Sequence, residues 1–109
     1  MHELSVAGSV VEAVLDRTGT ARVTVLRLAV GRLSGVVPDA LRFCFDLVVE
    51  GTPLEGAELL IEEPPGRASC TACGADFAVD DLVLLCPCGS ADVQVTAGRE
   101  LRILSMEVG

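Results

Sequence analysis

The stretch Cys70-Thr71-Ala72-Cys73, followed after twelve residues by Cys86-Pro87-Cys88-Gly89, decides how this chain is organised. Two short cysteine loops at this separation are typical of a zinc ribbon, in which four thiolates close a tetrahedral shell around the metal. A closed shell leaves no position for a substrate, so the metal has a structural role. We therefore predict a structural Zn(II) ion bound by Cys70, Cys73, Cys86 and Cys88.

The second cysteine pair is one residue shorter than the usual C-x-x-C loop, which leaves the sulfur geometry open but not the number of ligands. Redox-active dithiols and unbound thiols are the alternative interpretations of the cluster. The N-terminal residues lack the basic and apolar regions of a signal peptide, and no apolar run is long enough for a transmembrane helix. These features predict a cytoplasmic protein, in which clustered cysteines stay reduced and available to a metal.

The fifth cysteine, Cys44, stands apart from this cluster. It lies beside Phe45, on a stripe of apolar residues that includes Leu41 and Val48 at helical spacing. A buried cysteine packs as a small hydrophobic side chain. We predict that Cys44 belongs to the hydrophobic core and binds no metal.

The residues on either side of the cysteine region show helical and strand patterns. Apolar residues recur at helical spacing over residues 4–16, and Gly19 is placed to cap the end of that helix. A second helical pattern follows Pro38, a residue that fits the first turn of a helix. Strands are indicated by aliphatic runs over residues 21–30, 57–61 and 101–108.

These elements predict an α+β fold, with two helices on a small three-stranded sheet and an inserted zinc-ribbon lobe. The breaker run Glu62-Glu63-Pro64-Pro65-Gly66 marks a linker between the two parts. We assign residues 1–63, completed by strand 101–109, to the α/β core, and residues 64–100 to the ribbon lobe. Only three residues are aromatic, so aliphatic side chains must fill the core.

The charge of the chain argues against two classes of partner. The formal net charge is −8, there is no lysine, and the eight arginines are scattered singly. Binding to nucleic acid or to an anionic membrane requires clustered positive charge, which this sequence lacks. An acidic surface instead suits a basic protein partner.

The N-terminus offers a second set of metal donors. The chain opens with Met1-His2-Glu3, and His2 is its only histidine. The terminal amine of Met1, the backbone nitrogen of His2 and the His2 imidazole can close adjacent chelate rings, which suits square-planar Ni(II) or Cu(II). The Glu3 backbone nitrogen or carboxylate could fill the fourth position. The alternative is an exposed histidine that binds nothing.

These motifs together resemble the HypA family of hydrogenase-maturation nickel metallochaperones. Met1-His2-Glu3 is similar to the nickel motif that opens that family, and the segment from Val30 to Phe43 is similar to its central segment. Gly51-Thr52 and Glu55-Gly56-Ala57 match the turn into its next strand. The two cysteine pairs, ending in Cys88-Gly89-Ser90, match its zinc-binding lobe.

The resemblance implies transported Ni(II) bound through Met1, His2 and Glu3, which makes residues 1–63 a nickel-binding core, and Zn(II) held by the four clustered cysteines. It implies delivery of nickel to the large-subunit precursor of a NiFe-hydrogenase, together with a GTPase maturation factor. Some members also serve urease, and some of these have histidines beside the cysteines. This sequence has none there, which favours hydrogenase.

Two other classes of function are alternatives to a nickel carrier. A zinc-ribbon adaptor that joins proteins without transporting nickel would need the cysteine cluster but not His2. An enzyme finds little support, because no set of nucleophile, base and orienting group can be assembled around a single terminal histidine. We therefore predict a protein that is not an enzyme.

Overall fold

The computed structural model describes residues 2–79 and 84–109, and these form the predicted α+β fold with two helices and two small sheets. The described residues divide into two compact units, one of residues 2–28, 36–61 and 102–109, the other of residues 29–35, 62–79 and 84–101. The elements in chain order are α1 (His2–Thr18), β1 (Val23–Val30), α2 (Pro38–Val48), β2 (Glu58–Glu62), β3 (Gly66–Cys70), β4 (Asp76–Val79), β5 (Val93–Ala97) and β6 (Leu101–Val108).

The larger unit contains both helices and most of a three-stranded sheet with strand order β2-β1-β6. The Gly109 N–H donates to the Arg22 carbonyl oxygen over 3.0 Å, just before β1 begins. The end of β6 therefore lies beside the start of β1, and the two strands run antiparallel. The three predicted strands are confirmed, and the structure supplies the order that local patterns leave open.

The core of the larger unit is aliphatic, as the composition predicts. The buried residues of each helix recur at intervals of three or four, which places them on one face. Cys44 is only 7 % exposed and packs beside Phe45, which confirms its predicted place in the core. The buried residues of the two helices are Ala7, Val11 and Val14 in α1, and Leu41, Cys44 and Phe45 in α2.

The ends of the helices follow from single residues. The first helix is two residues longer at each end than its apolar pattern, and it ends where the Gly19 N–H donates to the Leu15 carbonyl oxygen over 2.8 Å. Gly19 has a φ of +61°, a conformation that glycine adopts without strain. The second helix begins at Pro38 as predicted, and Val37 before it contributes no side-chain cap.

The smaller unit is built on a second sheet with strand order β4-β3-β5. The central strand β3 pairs antiparallel with both neighbours, and a bulge between Arg67 and Ala68 shifts its register against β5. The buried residues Leu33, Ala68 and Val79 form its apolar cluster. The three strands were not predicted individually, because they are short and their apolar side is small.

Two glycines allow the backbone of the smaller unit to pack closely. Gly98 has a φ of +102°, and a Cβ atom placed there would lie 2.5 Å from the Gly66 Cα.

The predicted linker is shorter than expected, because Glu62 ends β2 and Gly66 begins β3. Within it the Pro64 carbonyl oxygen accepts a bond from the Arg32 N–H over 3.0 Å, so the segment is tied down.

Candidate metal centres

Four cysteine sulfur atoms converge in the smaller unit. The Sγ atoms of Cys70, Cys73, Cys86 and Cys88 all lie within 4.8 Å of one another, and all four are free thiols. The closest pairs are Cys73 with Cys86 at 3.6 Å and Cys70 with Cys88 at 3.8 Å. Thiolates that surround a zinc ion tetrahedrally at 2.3 Å stand about 3.8 Å apart, so the cluster fits that ion.

The first cysteine loop reverses the direction of the chain in a single turn, which backbone hydrogen bonds stabilise. The Gly74 N–H donates to the Cys70 carbonyl oxygen over 2.9 Å, which closes a turn of five residues. The Cys70 N–H donates in turn to the Ala75 carbonyl oxygen, also over 2.9 Å. Gly74 has a φ of +79°, and a side chain at this position would be strained.

The second loop is one residue shorter, and its turn is shorter by the same amount. The Gly89 N–H donates to the Cys86 carbonyl oxygen over 2.8 Å, which closes a turn of four residues. The Cys86 N–H donates to the Ser90 carbonyl oxygen over 2.9 Å, and the Cys88 N–H approaches the Cys86 Sγ at 3.4 Å. The tighter turn absorbs the missing residue, so both pairs still bring their sulfur atoms together.

Hydrogen bonds outside the sulfur cluster join the two loops. The Thr71 N–H and its Oγ1 hydroxyl both donate to the Asp92 carbonyl oxygen over 2.9 Å. The Asp92 N–H donates to the Ser90 Oγ over 3.0 Å. Since Thr71 belongs to the first loop and Ser90 follows the second, these bonds hold the loops face to face. Sequence spacing gave no sign of this role for Asp92.

The pKa values of the Cys70 and Cys86 thiols are shifted in opposite directions. Hydrogen bonding from the Cys73 backbone N–H lowers the pKa of the Cys70 thiol to about 7. At Cys86 the Cys88 N–H acts to lower the pKa, but burial and the sulfur contacts outweigh it and raise that pKa to about 12. Backbone hydrogen bonding therefore favours the thiolate form of Cys70, whereas the surroundings of Cys86 favour its thiol form. A divalent cation would neutralise the charge of the thiolates that bind it.

The predicted nickel donors stand at the start of α1. His2 is the first residue of that helix and its side chain is exposed, whereas Met1 lies outside the described residues. The first N–H groups of a helix have no partner within it, so a metal can take up a backbone nitrogen of His2 or Glu3 without breaking a helical hydrogen bond.

The carboxylate of Glu3 already has a partner in the larger unit. Its Oε2 accepts a hydrogen bond from the Val37 N–H over 3.1 Å, at the residue before α2. That bond is the main cause that lowers the pKa of Glu3, with a smaller contribution from the charge of His2. The structure thus adds Val37 to the surroundings of the predicted nickel residues. Its backbone role could not be read from an apolar side chain.

The chain matches, over residues 1–108, the family described as the hydrogenase/urease nickel incorporation metallochaperone HypA. The chain belongs to the HypA family. Hydrogenase maturation factors HypA from Chlorobaculum tepidum and Geobacter metallireducens are each 48% identical to it, with 99% of this chain and 99% of each relative covered. A HypA from Streptomyces avermitilis is also 48% identical, with coverage of 97% and 86%. The predicted family is confirmed.

Solved structures support the fold of this HypA protein independently of close sequence identity. The solution structure of the nickel metallochaperone HypA from Helicobacter pylori aligns with a TM-score of 0.67 at 24% identity, covering 97% of this chain and 96% of that one. A second HypA solution structure aligns with a TM-score of 0.60 at 22% identity, with coverage of 96% and 91%. At such identities the likeness concerns the fold alone.

Family membership confirms the predicted function as a nickel-incorporation metallochaperone of hydrogenase maturation. The family is described as a metallochaperone, which is consistent with the prediction that the chain is not an enzyme. None of the described helices is long and apolar enough to cross a membrane.

Proposed function

We propose that this HypA protein carries Ni(II) at its N-terminus and delivers it, in the cytoplasm and together with a GTPase maturation factor, to the large-subunit precursor of a NiFe-hydrogenase. The nickel donors are the Met1 amine, the His2 backbone nitrogen and imidazole, and Glu3. Zn(II) stays bound to Cys70, Cys73, Cys86 and Cys88, and residues 64–100 act as its structural lobe. Nickel belongs to the core of residues 1–63 and strand 101–109.

The convergence of four sulfur atoms is the single observation that best supports a zinc role separate from nickel transport. Among the described residues of the smaller unit, the apolar cluster has three buried members, with three partly buried side chains packed against them. So small a cluster gains little from hydrophobic burial, and metal binding would supply much of the folding free energy of this lobe. Four thiolates would satisfy the zinc ion fully and leave no open position. Zinc bound in this way is retained while nickel is exchanged.

The N-terminal donors suit transport because they come from consecutive residues at an exposed helix start. Amine, amide and imidazole nitrogens provide three positions of a square plane and leave the fourth to a weaker ligand. The hydrogen bond to Val37 uses Glu3 Oε2, so Oε1 of the same carboxylate is the donor that we assign to the fourth position. A donor group of the target would displace this oxygen first.

The experiment that tests the proposal is a calorimetric nickel titration of zinc-loaded protein that starts at a free Met1 amine. His2→Ala should abolish nickel binding, because it removes the imidazole, while zinc content and circular dichroism stay unchanged. Nickel affinity retained by the variant would refute the N-terminal site. Absence of nickel binding in both proteins would favour a zinc-ribbon adaptor that does not transport nickel.

The absence of histidines near the cysteines supports a preference for hydrogenase over urease. Histidines that replace or join thiolate ligands could change the zinc site within the physiological pH range. No such residue flanks the loops of this chain, so the zinc lobe lacks that kind of switch. Nickel transfer to a urease precursor should therefore be weaker than transfer to the hydrogenase precursor from the same organism.

A further inference from the structure

The outer face of α2 carries two large apolar side chains in a protein with only three aromatic residues. Phe43 is 67 % exposed and Leu47 is 52 % exposed, whereas the adjacent Phe45 is buried in the core. Residues four apart lie on the same side of a helix, so Phe43 and Leu47 form one continuous surface. An exposed aromatic residue beside an aliphatic one is typical of a protein-binding surface.

Carboxylates surround this apolar surface. Asp39 and Asp46 are exposed and lie four and three residues from Phe43, and the exposed Glu50 lies two residues beyond the end of the helix. Arg42 is the single basic residue of α2, so the three carboxylates outnumber it, and its guanidinium donates to the Leu59 carbonyl oxygen over 2.6 Å. We name Asp39, Phe43, Asp46, Leu47 and Glu50 the α2 face.

The α2 face begins next to the proposed nickel residues. Val37 directly precedes the helix and its side chain is 55 % exposed. Its backbone N–H donates to Glu3 Oε2. At a helical rise of about 1.5 Å per residue, Phe43 lies about 9 Å along the helix axis from Val37. A protein that covers the first turn of the α2 face would therefore lie close to Val37 and to the Glu3 carboxylate that Val37 contacts.

The charge of the face selects among its occupants. In a two-fold dimer through this surface, the carboxylates of one copy would oppose those of the other, which is unfavourable. An anionic membrane is disfavoured for the same reason, since the chain has a net charge of −8. A protein surface with an apolar pocket and a basic rim is complementary to the face.

We propose that the α2 face is the docking surface for the nickel-accepting large-subunit precursor, which presents an apolar pocket rimmed by arginine or lysine. This inference rests on the proposed function, because the precursor is the protein whose ligands must approach His2 and Glu3. Phe43 and Leu47 fill the pocket, and the three carboxylates orient the partner. Docking then places the acceptor beside the nickel donors.

The test measures the affinity of the zinc-loaded protein for the purified precursor from the same organism by biolayer interferometry, with and without nickel. Phe43→Ser with Leu47→Ser should weaken binding about tenfold or more, as loss of an anchoring aromatic does. Val108→Ser is the matched control, since Val108 is 53 % exposed on β6, and it should bind as the parent does. Asp39→Asn with Asp46→Asn should slow association and reduce its dependence on salt.

Further measurements keep this proposal separate from the nickel proposal. Circular dichroism and nickel titration of each variant should match the parent, because the exposed α2 side chains take no part in metal binding. Unchanged affinity of the Phe43/Leu47 variant for the precursor would overturn the docking surface, even with nickel binding intact. A loss seen only with the GTPase factor, or a parent dimer that the variant dissociates, would overturn the choice of partner.

Discussion

The two regions proposed to bind metal in this HypA-family protein are built in opposite ways. The four clustered cysteines come from two loops thirteen or more residues apart, and hydrogen bonds through Asp92 join these loops. The proposed nickel donors are consecutive in the sequence, and the two that the structure describes, His2 and Glu3, open α1. A folded scaffold favours retention of a metal, whereas donors on one short segment favour exchange. The comparison predicts that damage to one region spares the other.

The largest effect is expected from removing one zinc ligand. Cys70→Ser should abolish zinc binding and unfold the β4-β3-β5 sheet, because the small apolar cluster cannot replace the metal. Zinc content and amide exchange of β3 and β5 would measure the loss. The buried helices α1 and α2 should keep their protection from exchange, since their core lies in the other unit.

Cys44→Ala is the control for this experiment, because it removes a cysteine without removing a ligand. It should leave zinc content unchanged and lower stability by about 1 kcal/mol, as expected for the loss of one buried sulfur atom. If Cys70→Ser retained zinc at the parent level, three thiolates would be enough to bind the ion. The contrast between a closed zinc site and an open nickel site would then be wrong.

The next largest effect is expected from the backbone that supports the zinc region. Gly98→Ala would place a Cβ atom 2.5 Å from the Gly66 Cα and force a residue with a side chain to a φ of +102°. Strain and overpacking together should destabilise the smaller unit by about 3 kcal/mol. Denaturant unfolding monitored by exchange of the β3 amides would measure this, with nickel binding unaffected.

Gly8→Ala provides the opposite result in the larger unit. Gly8 lies within α1, and a Cβ atom there would meet nothing within 4 Å. The change should stabilise the helix by about 0.5–1 kcal/mol, because alanine loses less conformational freedom than glycine. If Gly98→Ala left the stability of the smaller unit unchanged, the close approach of Gly98 to Gly66 would not limit which residue can stand at position 98.

The contrast also explains how much of this molecule could be predicted. The helix around Val11, the helix after Pro38 and the three strands of the first sheet follow from periodicity, which is a local property. The grouping of the four cysteines follows from their spacing. Three features could not be predicted because they depend on backbone groups, which nearly every residue type provides. These are the four-residue turn of the second loop, the hydrogen bonds of Asp92 and the bond from the Val37 N–H to Glu3.

The N-terminal side of the comparison is tested by adding two residues, Gly-Ser, before Met1. The extension would remove the terminal amine from its chelate ring, so nickel affinity should fall roughly 100-fold, comparable to the larger losses when a metal site is perturbed. Calorimetry would measure the affinity, and zinc content is the internal control. Equal nickel affinity in the extended and native proteins would exclude the Met1 amine as a donor.

The smallest effect concerns the fourth nickel donor, and it separates the two roles of Glu3. Glu3→Gln keeps an oxygen that can accept a bond from the Val37 N–H but removes the negative charge, whereas Glu3→Ala removes both. If Oε1 is the fourth donor, both variants should lose a few-fold in nickel affinity, because an amide oxygen is a weaker ligand than a carboxylate. Only Glu3→Ala should increase the exchange rate of the Val37 amide. Parent-like nickel affinity in both variants would assign the fourth position to the Glu3 backbone nitrogen, and the carboxylate would then serve only to hold the start of α2 against α1.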